Sequence, residues 1–180
     1  MLGSTLKLIL DLANRQLPAH APAGLDDVFA ALRAPVPTRP VADLEDDIWD
    51  FWIHHPDTAC DGWMVQAIAA MAVGHVDDAR GCLARIVAMA PDWAEAWNKR
   101  ATLNYMMGRD IEAVADIGRT IVLEPRHFGA IAGFGHIALR HGDLTAAQAA
   151  FEEALRIHPH LNDIRVLAIE IGRDLPHTVN

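Results

Sequence analysis

The chain has 180 residues, 52% apolar and 22% charged, which suits one packed domain or one array of small units and excludes wholesale disorder. Its 24 acidic residues against 15 cationic ones give a net charge of −9, which argues against a nucleic-acid partner, because such a surface must neutralise phosphates. Lys7 and Lys99 are the only lysines, Ser4 is the only serine, and Cys60 and Cys82 form no CxxC pair. Serine hydrolysis, P-loop chemistry and a cysteine-built zinc site therefore lack their material, and the cysteines read as small buried thiols.

Residues 1–23 open the chain as an amphipathic helix and tail. At about 100° per residue, Leu2, Thr5, Leu6, Leu8, Ile9, Leu10, Leu12, Ala13 and Leu17 share one half of the wheel, with Gly3, Ser4, Lys7, Asp11, Asn14 and Arg15 on the other. Asp11 cuts the apolar run short of an export signal despite the small-x-small triplet Ala19-His20-Ala21. A cytoplasmic location is expected, with a periplasmic one as the alternative if this segment acts as a weak signal. No run approaches the ~18 apolar residues of a membrane span.

Residues 24–59 follow as a helical pair, read as a degenerate repeat. Residues 24–33 carry Asp26 and Asp27 at a helix start. Pro35-Val-Pro37-Thr-Arg-Pro40 cannot be helical, and 41–55 have Leu44, Ile48, Trp49, Trp52 and Ile53 on one side.

The next hundred residues repeat. Pro91, Pro125 and Pro159 stand at a constant spacing, and Gly74, Gly108 and Gly142 and then Ala79, Ala113 and Ala147 share the phase. Three windows result, 60–93, 94–127 and 128–161. Each has a large residue fourth (Trp63, Trp97, Ile131), a small one eighth (Ala67, Ala101, Gly135) and an apolar one twenty-fourth (Leu83, Ile117, Phe151). The glycine ends a first helix and turns the chain; the proline follows a second. Residues 162–180 are a capping helix and tail, with Leu161, Ile164, Leu167, Ala168 and Ile171 in helical phase.

Trp97-Asn-Lys-Arg-Ala-Thr-Leu, Gly108-Arg-Asp-Ile-Glu-Ala113, Leu123-Glu-Pro125 and Phe151-Glu-Glu-Ala-Leu make the array resemble the tetratricopeptide repeat (TPR). With Glu124-Pro-Arg-His-Phe-Gly-Ala130, it looks like a bacterial subgroup of that family. The resemblance implies an all-α, right-handed superhelical solenoid of antiparallel helix pairs. It also implies a non-enzymatic scaffold with no cofactor or metal, binding a peptide or protein of unstated identity in a concave groove. The sequence departs from the pattern at Arg100 and Asn104, which stand where Leu and Tyr are usual; Asp116 is the candidate partner of Arg100.

Carried over by position, the groove residues are Met64, Ile68 and Met71, then Asn98, Thr102, Tyr105 and Met106, then His136, Leu139 and Arg140. A ligand is expected to lay an apolar segment on the methionines and an acceptor or acidic group near His136 and Arg140. Relatives that hold acidic chaperone tails use a carboxylate clamp; here Met64, Ile68, Glu95, Gly129 and Gly133 occupy its positions and Lys99 alone survives. The other histidines, His158 and His160 among them, read as solvated or capping groups. The alternative function is docking through the N-terminal helix to a membrane surface or to a second copy; a membrane is disfavoured by its few cations, and a homodimer stays open.

Overall fold

The computed structural model describes residues 2–12 and 24–174, which form ten α-helices and no strand. Three helices come first: α1 (Leu2–Leu10), α2 (Leu25–Leu32) and α3 (Val41–Ile53). Three antiparallel pairs follow: α4 (Thr58–Ala72) with α5 (Val76–Met89), α6 (Ala94–Met106) with α7 (Asp110–Leu123), and α8 (Phe128–Arg140) with α9 (Leu144–Ile157). The last helix, α10 (Asn162–Asp174), packs on α9. The expected all-α array of helix pairs, with extra helices before it and a helix closing its end, is what the chain forms. Residues 13–23, on which half of the expected N-terminal helix falls, lie outside the described residues.

The repeat phase has a direct physical meaning. Gly74, Gly108 and Gly142 have φ of 77°, 69° and 74°, the left-handed region where a Cβ is strained. The amides of His75, Arg109 and Asp143 reach back to the carbonyls of Ala70, Asn104 and Ala138 at 2.8–2.9 Å, so each first helix ends in the same hydrogen-bonded turn. Within each pair the small residues Ala67, Ala101, Gly135, Ala79, Ala113 and Ala147 are buried, which lets the backbones approach. Gly135 is the tightest case: a Cβ there would lie 2.4 Å from Phe151 Cε1.

The packing divides into two apolar clusters. One joins α4, α5 and α6 through Met64, Leu83, Ile86, Trp93 and Leu103. The larger one joins the second and third pairs to α1, α2, α3 and α10. α1 lies against α7 and α9, the second helices of two repeats, with Ile9 buried and Thr5 Oγ1 donating to Val114 O at 3.5 Å. Its apolar face is spent inside the molecule. Among the described residues no helix is long and apolar enough to cross a membrane.

The α2–α3 pair, which the sequence reading takes as a degenerate repeat ahead of the first, lies across the turns that precede α8 and α10. Asp26 at the start of α2 accepts from Arg126 Nη1 at 2.5 Å, and Leu32 O at its end accepts from the His160 ring at 3.1 Å. Trp52 on α3 packs with His127 and Phe128, and Glu45 reaches His158. Phe29 on α2 lies against Trp52 and under the Arg126 guanidinium.

Candidate binding surface

The first helices of the three pairs, α4, α6 and α8, carry the residues that family position assigns to the groove. Toward their N-terminal ends this surface is occupied by α3. Trp49 sits 3.1 Å from where a Gly129 Cβ would be, and its ring lies 5.6 Å from Lys99 Nζ. Beneath the two tryptophans is a buried polar cluster. Glu95 and His127 are both fully buried, and His127 Nε2 meets Glu95 Oε2 at 2.8 Å. His127 Nδ1 accepts from the Ala130 amide at 3.2 Å, so Nε2 carries the hydrogen that Glu95 accepts. Asn98 Nδ2 donates to the same oxygen at 2.9 Å, and Lys99 Nζ lies 2.9 Å from Oε1. Burial pushes the Glu95 carboxyl up, but the His127 ring and the Lys99 ammonium outweigh it and hold it below the ordinary range. Trp52 stacks flat on His127, ring centroids 4.2 Å apart.

Two neighbouring clusters complete this seat. Arg126 binds both Glu124 oxygens, at 3.0 and 3.2 Å, besides Asp26. His158 stands at the C-cap of α9, one of the two places the sequence reading allows it, and is buried there and not solvated: its Nδ1 accepts from the His160 amide and its Nε2 donates to Glu45 at 2.7 Å. Trp93 Nε1 donates to Trp52 O at 2.7 Å and fixes the end of α3. The residues of the Glu124–Ala130 segment thus seat the chain's own α2 and α3.

The ten groove residues separate accordingly. Met64 is buried in the first cluster and Asn98 in the Glu95 network. Ile68, 37% exposed, and Met106, 60% exposed, remain on the surface with Thr102, and Met71, Tyr105 and Leu139 are half-buried beside them. His136 is half-buried with its ring edge-on to Phe151, and burial lowers its pKa. Arg140 is exposed but engaged: its guanidinium covers the Tyr105 ring at 3.9 Å and pairs with Asp110, which also accepts from His141. The open remainder of the groove is the C-terminal half of α4, α6 and α8.

Sequence reasoning missed Arg126, His127 and His158 as partners of α2 and α3, and Glu95 as the partner behind His127. The available signal was a run of charged and aromatic residues, Glu124 to Phe128, at a turn where a proline alone suffices. The two departures in α6 resolve together. Arg100 makes a two-pronged pair with Asp116, at 2.8 and 2.6 Å, and Asn104 donates to the same carboxylate at 3.1 Å. One acid on α7 answers both polar residues where two apolar ones are usual.

A tetratricopeptide repeat family model matches residues 64–126 and 133–171, more than half of the chain. A TPR repeat-containing protein of Rhizobium etli is 42% identical over 73 residues, which are 41% of this chain and 36% of that protein, so the chain spans about a third of this relative's length. Among solved structures, the TPR2B domain of yeast Sti1 in its pHsp70 complex superposes with a TM-score of 0.60 at 14% identity, covering 66% of this chain and all of that one. The first TPR of Spaghetti (RPAP3), bound to an HSP90 peptide, gives 0.62 at 16% identity over 68% of this chain and 97% of that one. The Sgt2 TPR domain of Aspergillus fumigatus gives 0.60 at 19% over 67% and 80%. The sequence period, the repeated glycine turns and the family match agree: the chain belongs to the tetratricopeptide repeat family.

Proposed function

We propose that this chain is a non-enzymatic interaction scaffold that holds a peptide or protein segment against the C-terminal halves of α4, α6 and α8. The observation that carries this reading is the row of apolar side chains left uncovered there, Ile68 and Met106 above all, beside a half-groove that α3 fills. Exposed methionine adapts to varied apolar partners, and Thr102 and Tyr105 supply a hydroxyl and a phenol within the strip. Two structural neighbours are complexes with pHsp70 and with an HSP90 peptide, which supports a peptide or protein segment as the ligand class. The chaperone-tail mode itself is not carried over, because Lys99, the surviving clamp cation, is bonded to Glu95 under Trp49. With α1 seated on α7 and α9, docking through the N-terminal helix is the weaker reading.

The test is selection of binders from a displayed peptide library, followed by rescreening against Ile68→Glu and Met106→Glu. Binders should be lost on both variants and kept on a control such as Arg156→Ala. Binders indifferent to both groove variants would place the binding surface elsewhere and end this reading.

A further inference from the structure

The charge of the chain is unevenly spread. Residues 24–57 hold eight of the 24 acidic residues and two of the 15 cationic ones. Of those two, Arg39 is paired with Asp47 at 2.6 Å. The α3 face turned from the core carries Asp43, Asp46 and Asp50, all largely solvent-facing, while Leu44, Ile48 and Trp52 are buried. Asp46 and Asp50 precede Trp49 and Ile53 by one helical turn, and those two residues lie on the α3 flank toward the first helices: Trp49 over Lys99 and Gly129, Ile53 on the first-repeat cluster. Asp46 and Asp50 therefore stand on the solvent side of the flank that α3 presents to the first helices, beside the half of the groove that α3 fills, and neither has a partner among the described residues.

The cations near the same floor are all engaged. Lys99 is on Glu95, Arg100 on Asp116, Arg126 on Glu124 and Asp26, and Arg140 on Asp110. A ligand carboxylate at Arg140 would have to displace Asp110, whereas a ligand cation beside α3 finds carboxylates without partners. This favours a ligand of the opposite sign to the acidic group that position alone suggests near His136 and Arg140.

Resting on the groove reading above, we infer that the occupant of the open half-groove is a cationic amphipathic segment: apolar side chains on Ile68, Met71 and Met106, and Lys or Arg along its edge facing Asp46 and Asp50. The apolar strip supplies the contact and the acidic edge selects the sign of the partner. The net charge of −9 adds long-range attraction for such a segment and repels an acidic one.

The probes are a helix-forming peptide of about four turns with Leu and Met on one face and Lys on its flanks, its twin with Glu for Lys, and the acidic heptapeptide Ser-Arg-Met-Glu-Glu-Val-Asp, read by calorimetry. The cationic peptide should bind, the acidic two at least about tenfold more weakly. Each exposed charge pair is worth up to about fivefold, so Asp46→Asn with Asp50→Asn should weaken the cationic peptide roughly three- to tenfold, and salt should do likewise. Ile68→Glu with Met106→Glu separates the two claims. Acidic and cationic peptides binding alike, both lost on the Glu variants, would overturn the charge inference and leave the groove standing. Cationic binding lost in the Asn variants but indifferent to the Glu variants would overturn the groove. No heat from the cationic peptide overturns the inference outright.

Discussion

Gly135→Ala tests the helix crossing on which the repeat reading depends. The added methyl would sit 2.4, 2.7 and 3.0 Å from three carbons of the Phe151 ring, where ordinary contacts begin near 3.5 Å. Phe151 is fully buried and edge-on to His136, so relief requires α8 and α9 to part by up to about 1 Å. Overpacking of this kind costs about 1–3 kcal/mol, and the severity of the clash puts Gly135→Ala at the upper end. Alanine recovers about 1 kcal/mol over glycine inside a helix, leaving a net loss of about 2 kcal/mol. For a chain of this size that lowers the melting temperature by about 4–8 °C. Gly133→Ala is the internal control: its methyl would meet Ile117 Cδ1 at an ordinary 3.8 Å, so the helix gain is left unopposed and stability should rise by about 0.5–1 kcal/mol. Urea titration followed by circular dichroism reads both. A Gly135→Ala protein as stable as the parent would refute the crossing; adding Phe151→Leu should restore part of the loss.

Arg126→Ala should cost about 3 kcal/mol, because it strands the buried Glu124 carboxylate and frees α2, whereas Arg156→Ala, removing an exposed pair, should cost under about 0.5 kcal/mol in the same titration. Ala113→Leu should overpack the second crossing by about 1–3 kcal/mol while Arg109→Ala changes little; equal effects would mean the repeat phase is wrong. Burial pushes the His158 imidazole below its ordinary value, though Glu45 pulls it up, and burial does the same to His136. The folded state therefore takes these protons less readily than the unfolded chain. Stability should be full above the ordinary histidine value of about 6.5 and fall as pH drops through it, read as a lower urea midpoint in mild acid. His136→Gln with His158→Gln should flatten that dependence, and an unchanged slope would assign it to other groups.

The array was legible in the sequence because its packing is periodic. A glycine that must adopt positive φ and an alanine that must sit at a crossing recur in every unit, so three copies vote on one phase. The seat of α2 and α3 was not legible, because each of its contacts occurs once. Arg126 to Asp26 and His158 to Glu45 join residues 100 and 113 positions apart, and although the run Glu124 to Phe128 marks one of these turns, nothing local names the partners. The groove positions were legible only as positions. Whether Asn98 faces a ligand or the Glu95 carboxylate depends on a helix fifty residues earlier in the chain, and the charged pairing of Arg140 with Asp110 depends on the next turn of the solenoid. The Arg100–Asp116 pair was recoverable because the oddity of an arginine at an apolar position demanded an acid on the facing helix.

The two apolar clusters bear on how the scaffold holds together. In a plain repeat array each unit leans on its neighbours alone, and stability is a sum along the line. Here α1 braces the second and third pairs from the side of α7 and α9, while α2 and α3 brace them from the side of α6 and α8, so those two pairs are clasped by the three helices that precede the array. The first pair shares its cluster with α6, through Ala96 and Leu103, and is reached from that clasp through Ile53, the Trp93–Trp52 bond and the His54 and His55 contacts with Asp61. The uncovered apolar side chains of α4, Ile68 among them, therefore lie on the unit outside that clasp, and those of α6 lie on a unit within it. A segment laid across Ile68 and Met106 would bridge the first pair and the second. Its binding would add a tie between a pair outside the clasp and one within it, so ligand affinity and the stability of the first pair are thermodynamically linked: whatever firms one must firm the other.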